Sequence, residues 1–195
     1  GVPGEERLAH RGVSYCAVCD GSFFRGRDVA VVGGGNTALE DALYLAGICP
    51  HVWLIHRRAD FRAQARLVER LHDEPKIEFL SSSTVTEIRG GDRVEGILVG
   101  TPHGEREIPV SAVFVAVGLA ADNAAFADLV ELDENGYIRA GADTHTTCPG
   151  VFAAGDTRTT PLRQILTAAA DGAAAATAAE QYLRETAAKN AAATV

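Results

Sequence analysis

The stretch DVAVVGGGNTALEDALYLAGI, residues 28–48, decides the fold. It opens with a short run of apolar, mostly β-branched residues, 28–32, which is bounded by turn signals and predicts a buried strand. Three glycines follow, and then alanines and leucines that recur with helical spacing until Gly47 and Pro50 end the pattern. A strand, a glycine turn and a helix in direct succession are typical of an α/β sheet.

The turn carries a G-x-G-x-x-A pattern made by Gly33, Gly35 and Ala38. The first glycine permits the tight turn, the second lets the backbone approach a pyrophosphate, and the alanine lets the helix pack close to the strand. The start of the helix supplies free N–H groups and positive potential for an anion. A plain glycine-rich turn is the alternative, but the strand before and the helix after favour a dinucleotide site.

The end of the second predicted strand, HVWLI at 51–55, indicates which dinucleotide is bound. An NAD site usually places Asp or Glu there to hold the ribose 2′-hydroxyl. This chain instead has His56, Arg57, Arg58 and, one helical turn further on a helix predicted over 60–73, Arg62. Guanidinium groups bind a 2′-phosphate through paired hydrogen bonds, so the segment favours NADP(H). A solvated basic helix face is the alternative, and it describes Arg66 and Arg70 better.

The remaining patterns predict two domains, residues 1–118 and 119–195. Residues 76–80 read as a third strand, 84–110 as an antiparallel meander inserted in the sheet, and 112–118 as a strand that returns to the parallel sheet. The second part is thinner, with a buried strand predicted at 150–156, an alanine-rich helix at 161–185 and a frayed tail over the last ten residues. It reads as half of a domain.

The stretch VSYCAVCDGSFF, residues 13–24, places two residues between Cys16 and Cys19. A zinc site, a structural disulfide and a redox pair all show this pattern. Four cysteines in 195 residues are too sparse for a secreted disulfide scaffold, and no second cysteine pair or histidine pair completes a zinc site. A redox-active pair in a reducing compartment therefore fits best, with no metal expected. Cys49 and Cys148 read as packing thiols.

The composition narrows the function classes further. A net charge of −8 argues against a nucleic-acid surface, and no apolar run approaches the length of a membrane span. No signal peptide opens the chain. The sparse cysteines favour a reducing, intracellular setting, so we expect a cytoplasmic protein. The chain contains no Met and begins with a polar, loop-like segment. These features lead us to expect a chain that lacks its natural N-terminal part.

Taken together, these motifs make the chain resemble the low-molecular-weight, bacterial-type thioredoxin reductases, flavoproteins with two dinucleotide-binding domains. The matching segments include RGVSYCAVCDG, VAVVGGGNTALEDALYLAG, LIHRRADFRA, VFVAVG, DENGYI and GVFAAGDTRTTPLRQILTAAADG. The resemblance implies that residues 1–118 form a Rossmann-like NADPH-binding domain that carries the dithiol. It also implies that 119–195 are the C-terminal part of a FAD-binding Rossmann-like domain whose N-terminal part is absent.

The resemblance also implies the site residues. Cys19 would be the flavin-side sulfur, Cys16 the sulfur that attacks the substrate disulfide, and Asp20 the proton donor and acceptor. The implied NADPH-binding residues are Gly33, Gly34, Gly35, Asn36, Thr37, Glu40, His56, Arg57, Arg58, Arg62, Val117 and Gly118. The implied FAD-binding residues are Gly155, Asp156, Arg163, Gln164 and Ile165.

The function that the resemblance implies is that of a homodimeric thioredoxin-disulfide reductase. Electrons would pass from NADPH through FAD to the Cys16–Cys19 disulfide and on to thioredoxin, which would dock near Phe23 and Phe24. The family rotates its NADPH domain between two positions, with hinges expected near residues 1–12 and 118–122. Two alternatives stay open: an inactive piece that serves only as an NADP-binding module, and a peroxiredoxin-reducing relative.

Overall fold

The structure is a computed structural model that describes residues 1–193, and the chain divides into two compact units. Unit 1 is Gly1–Gly118 and unit 2 is Leu119–Val195. Which nucleotide each unit binds stays a prediction at this level. The strands and α-helices of unit 1 are, in chain order, β1 (Val13–Ser14), α1 (Ala17–Asp20), β2 (Val29–Val32), α2 (Asn36–Ala46), β3 (Val52–Ile55), α3 (Ala65–His72), β4 (Ile77–Leu80), β5 (Thr84–Arg89), β6 (Gly96–Thr101), β7 (Gly104–Ile108) and β8 (Ala112–Val115).

The parallel sheet of unit 1 has the order β1-β8-β2-β3-β4. The predicted α/β class is confirmed, and β2 lies at the centre with Val31 opposite Leu54 on one side and Phe114 on the other. Val29 and Val31 pack with α2 in one core, whereas Ala30 packs in a second core on the opposite face. Burial on both faces explains why these strands are continuous apolar runs.

The meander forms a sheet of its own, with the antiparallel order β5-β6-β7, rather than an insertion within the parallel sheet. Its apolar residues alternate, so they form a single face that must be covered. Ile97, Val99 and Ile108 from that face share a buried cluster with Ala30 and Val113 of the parallel sheet. The meander thus covers the face of the parallel sheet that α2 and α3 leave open.

Two predicted boundaries in unit 1 change. The helix expected from residue 60 begins at Ala65, because the Arg62 N–H donates to Gly34 of the glycine turn and the Gln64 N–H donates to the side chain of Asn36 at the start of α2. Strand β1 was not predicted, since two residues are too short to show a period of two. It pairs in parallel with β8, with Ser14 opposite Phe114.

Unit 2 is built around one long helix, α4 (Ile165–Ala193). The strand predicted at 150–156 is wrong: Phe152 makes one isolated bridge to His145, and Gly155–Thr157 is a 3₁₀ turn. The frayed tail is also wrong for residues 186–193, which continue the helix as their alanines favour, while residues 194–195 lie outside the described residues. Its buried apolar cluster contains Val130, Ile138 and Ala153. Among residues 1–193, no helix is both long and apolar enough to cross a membrane.

Candidate functional site

The predicted nucleotide residues meet at one edge of the parallel sheet. After β2 the chain crosses to β3 and β4 on one side, while β8 and β1 lie on the other, so the carboxyl end of β2 is the topological switch point. Ligands of α/β sheets bind in the crevice outside the carboxyl ends of the strands at such a point. Gly33 follows β2 there, His56 follows β3, and Ala116 follows β8.

The three glycines of the turn have different reasons to lack a side chain. Gly33 has φ of 155°, and a Cβ there would lie 2.3 Å from the Ala116 carbonyl oxygen. A Cβ on Gly34 would lie 2.4 Å from the His56 ring, so this glycine makes room for the histidine. A Cβ on Gly35 would meet nothing within 4 Å. Gly35 therefore leaves open space in front of the start of α2, where an approaching pyrophosphate needs it.

The segment that carries Arg57, Arg58 and Arg62 is held next to this turn by hydrogen bonds from its backbone. The Arg62 N–H donates to the Gly34 carbonyl at 2.7 Å, and the Gln64 N–H donates to Asn36 Oδ1 at 2.8 Å. Arg62 consequently lies beside the glycine turn because of its main chain, and not because it stands one helical turn beyond Arg58. The expected helical spacing is thus replaced by a loop that follows the turn.

His56 is buried, while Arg57, Arg58 and Arg62 are exposed. Its Nε2 is buried and has no hydrogen-bond partner in the described part of the chain. Burial, and then the neighbouring positive charges of Arg58, Arg57 and Arg62, hold the pKa of His56 below its usual range. The uncharged imidazole offers an unsatisfied nitrogen, and several guanidinium groups lie next to it. A bound anion would offset the positive charge of these groups.

These residues line a cavity of about 590 Å³ in unit 1. Its lining includes most of the predicted NADPH residues, namely Gly33, Gly34, Gly35, Thr37, His56, Arg57, Arg58, Arg62, Val117 and Gly118. Asn36 and Glu40 do not line it, and the Asn36 side chain instead holds the Gln64 N–H. Arg66 and Arg70 lie outside it, on the exposed surface of α3.

The predicted dithiol is a disulfide in the structure, with the Cys16 and Cys19 sulfurs 2.01 Å apart. It follows the carboxyl end of β1, at the same edge of the sheet as the nucleotide cavity. Cys16 caps α1, with its Sγ accepting from the Cys19 N–H at 3.2 Å. Cys16 is half-buried and Cys19 is exposed. Both sulfurs are thus presented at the surface of unit 1 by a single helical turn.

Asp20 is bound to a residue that the sequence analysis did not single out. The Ser14 hydroxyl donates to Asp20 Oδ2 at 2.7 Å and accepts from the Cys16 N–H at 3.1 Å. Ser14 is 4% exposed, at the end of β1. Its only sequence signal is its position, two residues before the first cysteine.

Among the described residues, no group of three His, Cys, Asp or Glu side chains could hold a metal ion.

The other two cysteines lie away from the disulfide. Cys49 is buried with its Sγ 3.5 Å from the Phe24 carbonyl oxygen, and burial raises the pKa of its thiol. Cys148 is half-buried in unit 2. Both positions are compatible with the packing thiols expected from the sequence.

In unit 2 the Gly-Asp turn is held by a buried ion pair. The Gly155 N–H donates to Asp171 Oδ2 at 3.0 Å, and Arg158 binds both oxygens of that carboxylate at 2.7 Å. Hydrogen bonding to Arg158 lowers the pKa of Asp171, and the same bond raises that of Arg158. Asp156 is left exposed beside this pair. Neither Arg158 nor Asp171 was identified from the sequence, since nothing local marks a pair thirteen residues apart.

The flavin-site candidates Arg163, Gln164 and Ile165 lie where the chain enters α4. The Arg163 guanidinium lies over the ring of buried Tyr137, 4.0 Å from its centroid, and its Nε is buried with no hydrogen-bond partner in the part of the chain that is described. Ile165 is 88% exposed. The turn, the arginine and the exposed isoleucine thus all belong to unit 2.

The nucleotide cavity also has lining residues that were missed: Ser83, Thr84 and Val85. They follow β4, whose carboxyl end lies at the same edge as those of β2 and β3. The Ser83 N–H donates to the His56 carbonyl at 2.9 Å, which ties the two loops together. The rule that parallel strands present their carboxyl ends on one side could have indicated them.

Comparison with known proteins gives consistent results. A sequence profile described as pyridine nucleotide-disulphide oxidoreductase matches residues 1–172. A thioredoxin reductase of Listeria monocytogenes is 47% identical over 188 residues, which are 95% of this chain and 59% of that protein. A bifunctional thioredoxin reductase/thioredoxin of Mycobacterium leprae is 45% identical over 187 residues, covering 94% of this chain and 41% of that protein.

A solved structure is similar as well. The crystal structure of thioredoxin reductase from Streptococcus pyogenes matches with a TM-score of 0.89 and 42% identity, covering 95% of this chain and 61% of that chain. The chain therefore spans about three-fifths of the length of these two reductases. The profile extends over most of the residues, through both units and the disulfide, and on that ground the chain belongs to the pyridine nucleotide-disulphide oxidoreductase family.

Proposed function

We propose that this chain carries the nucleotide-binding and dithiol parts of an NADPH-dependent thioredoxin-disulfide reductase. The observation that carries the proposal is the placement of a cationic nucleotide cavity and a Cys16–Cys19 disulfide at the same edge of one parallel sheet. FAD, when bound, accepts two electrons as hydride from NADPH and can release them to a disulfide. The similarity to the reductases named above supports this activity.

The lining of the cavity supports NADPH as the electron donor. Arg57, Arg58 and Arg62 are exposed and line the cavity, where they can form charge-assisted bonds to a 2′-phosphate. His56 Nε2, which has no hydrogen-bond partner among residues 1–193, belongs to the same lining. No carboxylate lines this cavity in the described chain, so nothing there would pair with a ribose 2′-hydroxyl in the way of an NAD site. Gly33 and Gly35 provide the turn and the open approach for the pyrophosphate.

The residues of unit 2 support a FAD site. The Gly155 turn is fixed from behind by Asp171, which leaves the Asp156 carboxylate exposed for a ligand hydroxyl. The Arg163 guanidinium lies over the Tyr137 ring, and its Nε has no hydrogen-bond partner among the described residues. The residues that would contact the cofactor remain those predicted from the sequence: Gly155, Asp156, Arg163, Gln164 and Ile165.

The disulfide region supports a protein substrate. Tyr15, Val18 and Phe23 are exposed around the two cysteines, and Phe23 is 75% exposed. Exposed apolar side chains next to a polar reactive group are typical of a surface that binds another protein. Phe23 and Phe24 also line a cavity of about 830 Å³ together with Ser14 and Asp20. We propose that thioredoxin docks on this surface, with Cys16 attacking its disulfide and Asp20 exchanging the proton.

The decisive experiment is Cys19→Ser in the native gene product. We expect NADPH-dependent reduction of thioredoxin to be lost, because the remaining thiol cannot form the internal disulfide, while reduction of bound flavin by NADPH persists. Cys148→Ser, which changes a half-buried cysteine of unit 2, is the matched control. Thioredoxin reduction by the Cys19→Ser variant at the rate of the unchanged protein would refute the proposal.

One second candidate rests on a specific observation, the completeness of the nucleotide cavity within unit 1. In this alternative, the chain binds NADP and has no activity of its own. The absorption spectrum of the purified chain separates the two, because stoichiometric bound flavin contradicts a module with no other cofactor.

A peroxiredoxin-reducing relative would differ in its protein substrate, which a comparison of thioredoxin and peroxiredoxin as electron acceptors decides. A homodimer and a cytoplasmic location complete the proposal.

A further inference from the structure

We propose that Ser14 is a positioning residue for Asp20, holding this carboxyl group in place for proton transfer to the sulfur that leaves a substrate disulfide. The inference rests on the proposed function, since it assigns a task within the disulfide exchange at Cys16 and Cys19. It concerns a residue that the C-x-x-C pattern does not include. Three features of the structure carry it: the hydrogen bonds of the hydroxyl, its burial, and the cavity behind it.

The hydroxyl of Ser14 connects the acid to the backbone of the cysteine segment. It donates its proton to Asp20 Oδ2 at 2.7 Å and accepts from the Cys16 N–H at 3.1 Å. The Asp20 N–H in turn donates to the Cys16 carbonyl at 3.1 Å. Cys16, Ser14 and Asp20 therefore form a closed set of hydrogen bonds that fixes the carboxyl group relative to the first cysteine.

Ser14 itself cannot move easily. It is 4% exposed and lies in β1, where it is in register with the fully buried Phe114 of β8. Dense packing around a buried strand restricts the side chain of this serine more than an exposed loop would. The Cys16 carbonyl oxygen, at 3.4 Å, is the more distant of the two acceptors of its hydroxyl, and Asp20 Oδ2, at 2.7 Å, is the nearer one. Because Asp20 ends the short helix α1, its carboxyl group would otherwise be held by backbone alone. Ser14 thus transmits the rigidity of the parallel sheet to the acid.

The cavity of about 830 Å³ gives the acid room for water on the side away from the backbone of α1. Both Ser14 and Asp20 line it, and its lining continues to Asp28 and Ser111, which precede β2 and β8. It is large enough for several waters, and its polar lining gives them hydrogen-bond partners.

The chemical step balances as follows. The Cys16 thiol gives its proton to the Asp20 carboxylate, and the Cys16 thiolate attacks one sulfur of the substrate disulfide, so a Cys16–substrate S–S bond forms and the substrate S–S bond breaks. The departing sulfur keeps the electron pair of the broken bond and receives the proton from the Asp20 carboxyl group. The Cys19 thiol then loses its proton to Asp20, and its thiolate attacks the Cys16 sulfur, which restores the Cys16–Cys19 disulfide. The second substrate sulfur leaves with the electron pair of the bond that breaks and takes up that proton. The substrate gains the two electrons that the dithiol loses.

Proton donation matters only for a leaving thiolate that is basic, and this gives the test its selectivity. The aromatic thiolate released from 5,5′-dithiobis(2-nitrobenzoate) leaves without protonation, whereas the alkyl thiolate released from bis(2-hydroxyethyl) disulfide does not leave as easily. We would reduce the chain, remove the reductant, and measure the rate of reaction with each compound for the unchanged chain, Ser14→Ala, Asp20→Asn and the double variant. Ser22→Ala, an exposed serine close to the dithiol, is the matched control.

We expect Asp20→Asn to slow the alkyl disulfide about 100-fold, in the range of general acid catalysis, and Ser14→Ala to slow it about tenfold, as the loss of one hydrogen bond to a charged group would. Neither change should alter the rate with the aromatic disulfide by more than about twofold, a selectivity that a merely structural defect in the dithiol would not produce. In the Asp20→Asn background, Ser14→Ala should have no further effect, since it acts through that carboxyl group. Ser14→Thr, which keeps the hydroxyl, should restore most of the rate.

Four results would overturn the inference. An equal loss with both disulfides, or a Ser14→Ala effect that persists in the Asp20→Asn background, would mean that Ser14 only supports the backbone. A loss in Asp20→Asn without one in Ser14→Ala would refute the positioning by Ser14 and leave the proposed function intact. Full activity of Asp20→Asn with the alkyl disulfide would show that Asp20 is not the general acid. The Cys19→Ser experiment would still decide the reductase assignment independently.

Discussion

The two units of this chain stabilise their functional residues in different ways. Unit 1 has two buried apolar clusters, one on each face of its parallel sheet, and its cavity is lined by loops that leave one edge of that sheet. Unit 2 buries Val130, Ile138 and Ala153 in a small cluster, and Ile165 and Leu166 of its helix are largely exposed. Its Gly-Asp turn depends on the Arg158–Asp171 ion pair. Hydrophobic burial thus supports one site, and directional polar bonds support the other.

This contrast has a consequence for folding. Apolar burial is the dominant favourable term in folding, and it scales with the area removed from water. A sheet covered on both faces supplies that area within unit 1. The described residues of unit 2 supply much less, so its order depends more on individual hydrogen bonds, each of which contributes little net stability.

The largest expected effect follows from separating the units. We expect residues 1–118 alone to unfold in urea in one cooperative transition, because both of its clusters are intact. Residues 119–195 alone should show helical circular dichroism that declines gradually, without a cooperative transition. A sharp transition in the second piece, as steep per residue as in the first, would show that the polar bonds of unit 2 suffice for a stable fold.

The second prediction concerns the ligand of unit 1. Changing both Arg57 and Arg58 to alanine should weaken NADPH about 100-fold, since two charge-assisted bonds are lost, and should change NADH affinity by less than about threefold. Isothermal titration calorimetry on the chain measures both. Changing Arg66 and Arg70 of α3, which lie outside the cavity, is the control for net charge. An equal loss for the two nucleotides would contradict a 2′-phosphate site.

The third prediction compares two ion pairs that both involve α4. Asp171→Asn leaves Arg158 buried without its counter-charge, so protease cleavage between residues 150 and 165 should become about tenfold faster. Glu180→Gln removes the exposed pair with Arg184 and should leave the cleavage rate unchanged within error. Equal rates for the two variants would mean that the buried pair does not hold the Gly155 turn.

The smallest effect tests the core of unit 1. Burial, and then the charge of Glu40, raise the pKa of Asp41 on α2 to about 6. Because the folded chain holds this proton more tightly than the unfolded chain, the group contributes stability below its ordinary value of 3.8, and that contribution is lost as the pH rises through about 6.

Asp41→Asn should therefore raise the free energy of unfolding by about 1 kcal/mol at neutral pH, after allowance for partial exposure, and by nothing near pH 3.8. Urea unfolding across that pH range measures it, with Asp92→Asn at an exposed position as the control. A pH-independent gain would show that the change acts through packing and not through the charge.

The sequence contained enough to predict the elements whose signals are local. The run at 28–32, the glycines after it and the basic segment 56–58 are each local in the sequence, and the structure brings them together as parallel-strand geometry requires. The C-x-x-C pair could be recognised for the same reason. Local periodicity also indicated α2, whose buried alanines and leucines recur on one face.

The tertiary structure decided the features that depend on partners far along the chain. The hydrogen bonds from residues 62 and 64 to the glycine turn and the start of α2 replaced the first turn of a predicted helix, and the apolar face of the meander stacked on the sheet instead of joining it. Strand β1 exists because β8 pairs with it, and through β1 Ser14 is placed against Asp20. The role of Arg158 likewise depends on its ion pair with Asp171. A sequence pattern records the spacing of neighbours along the chain, whereas these contacts depend on which segments fold back onto each other.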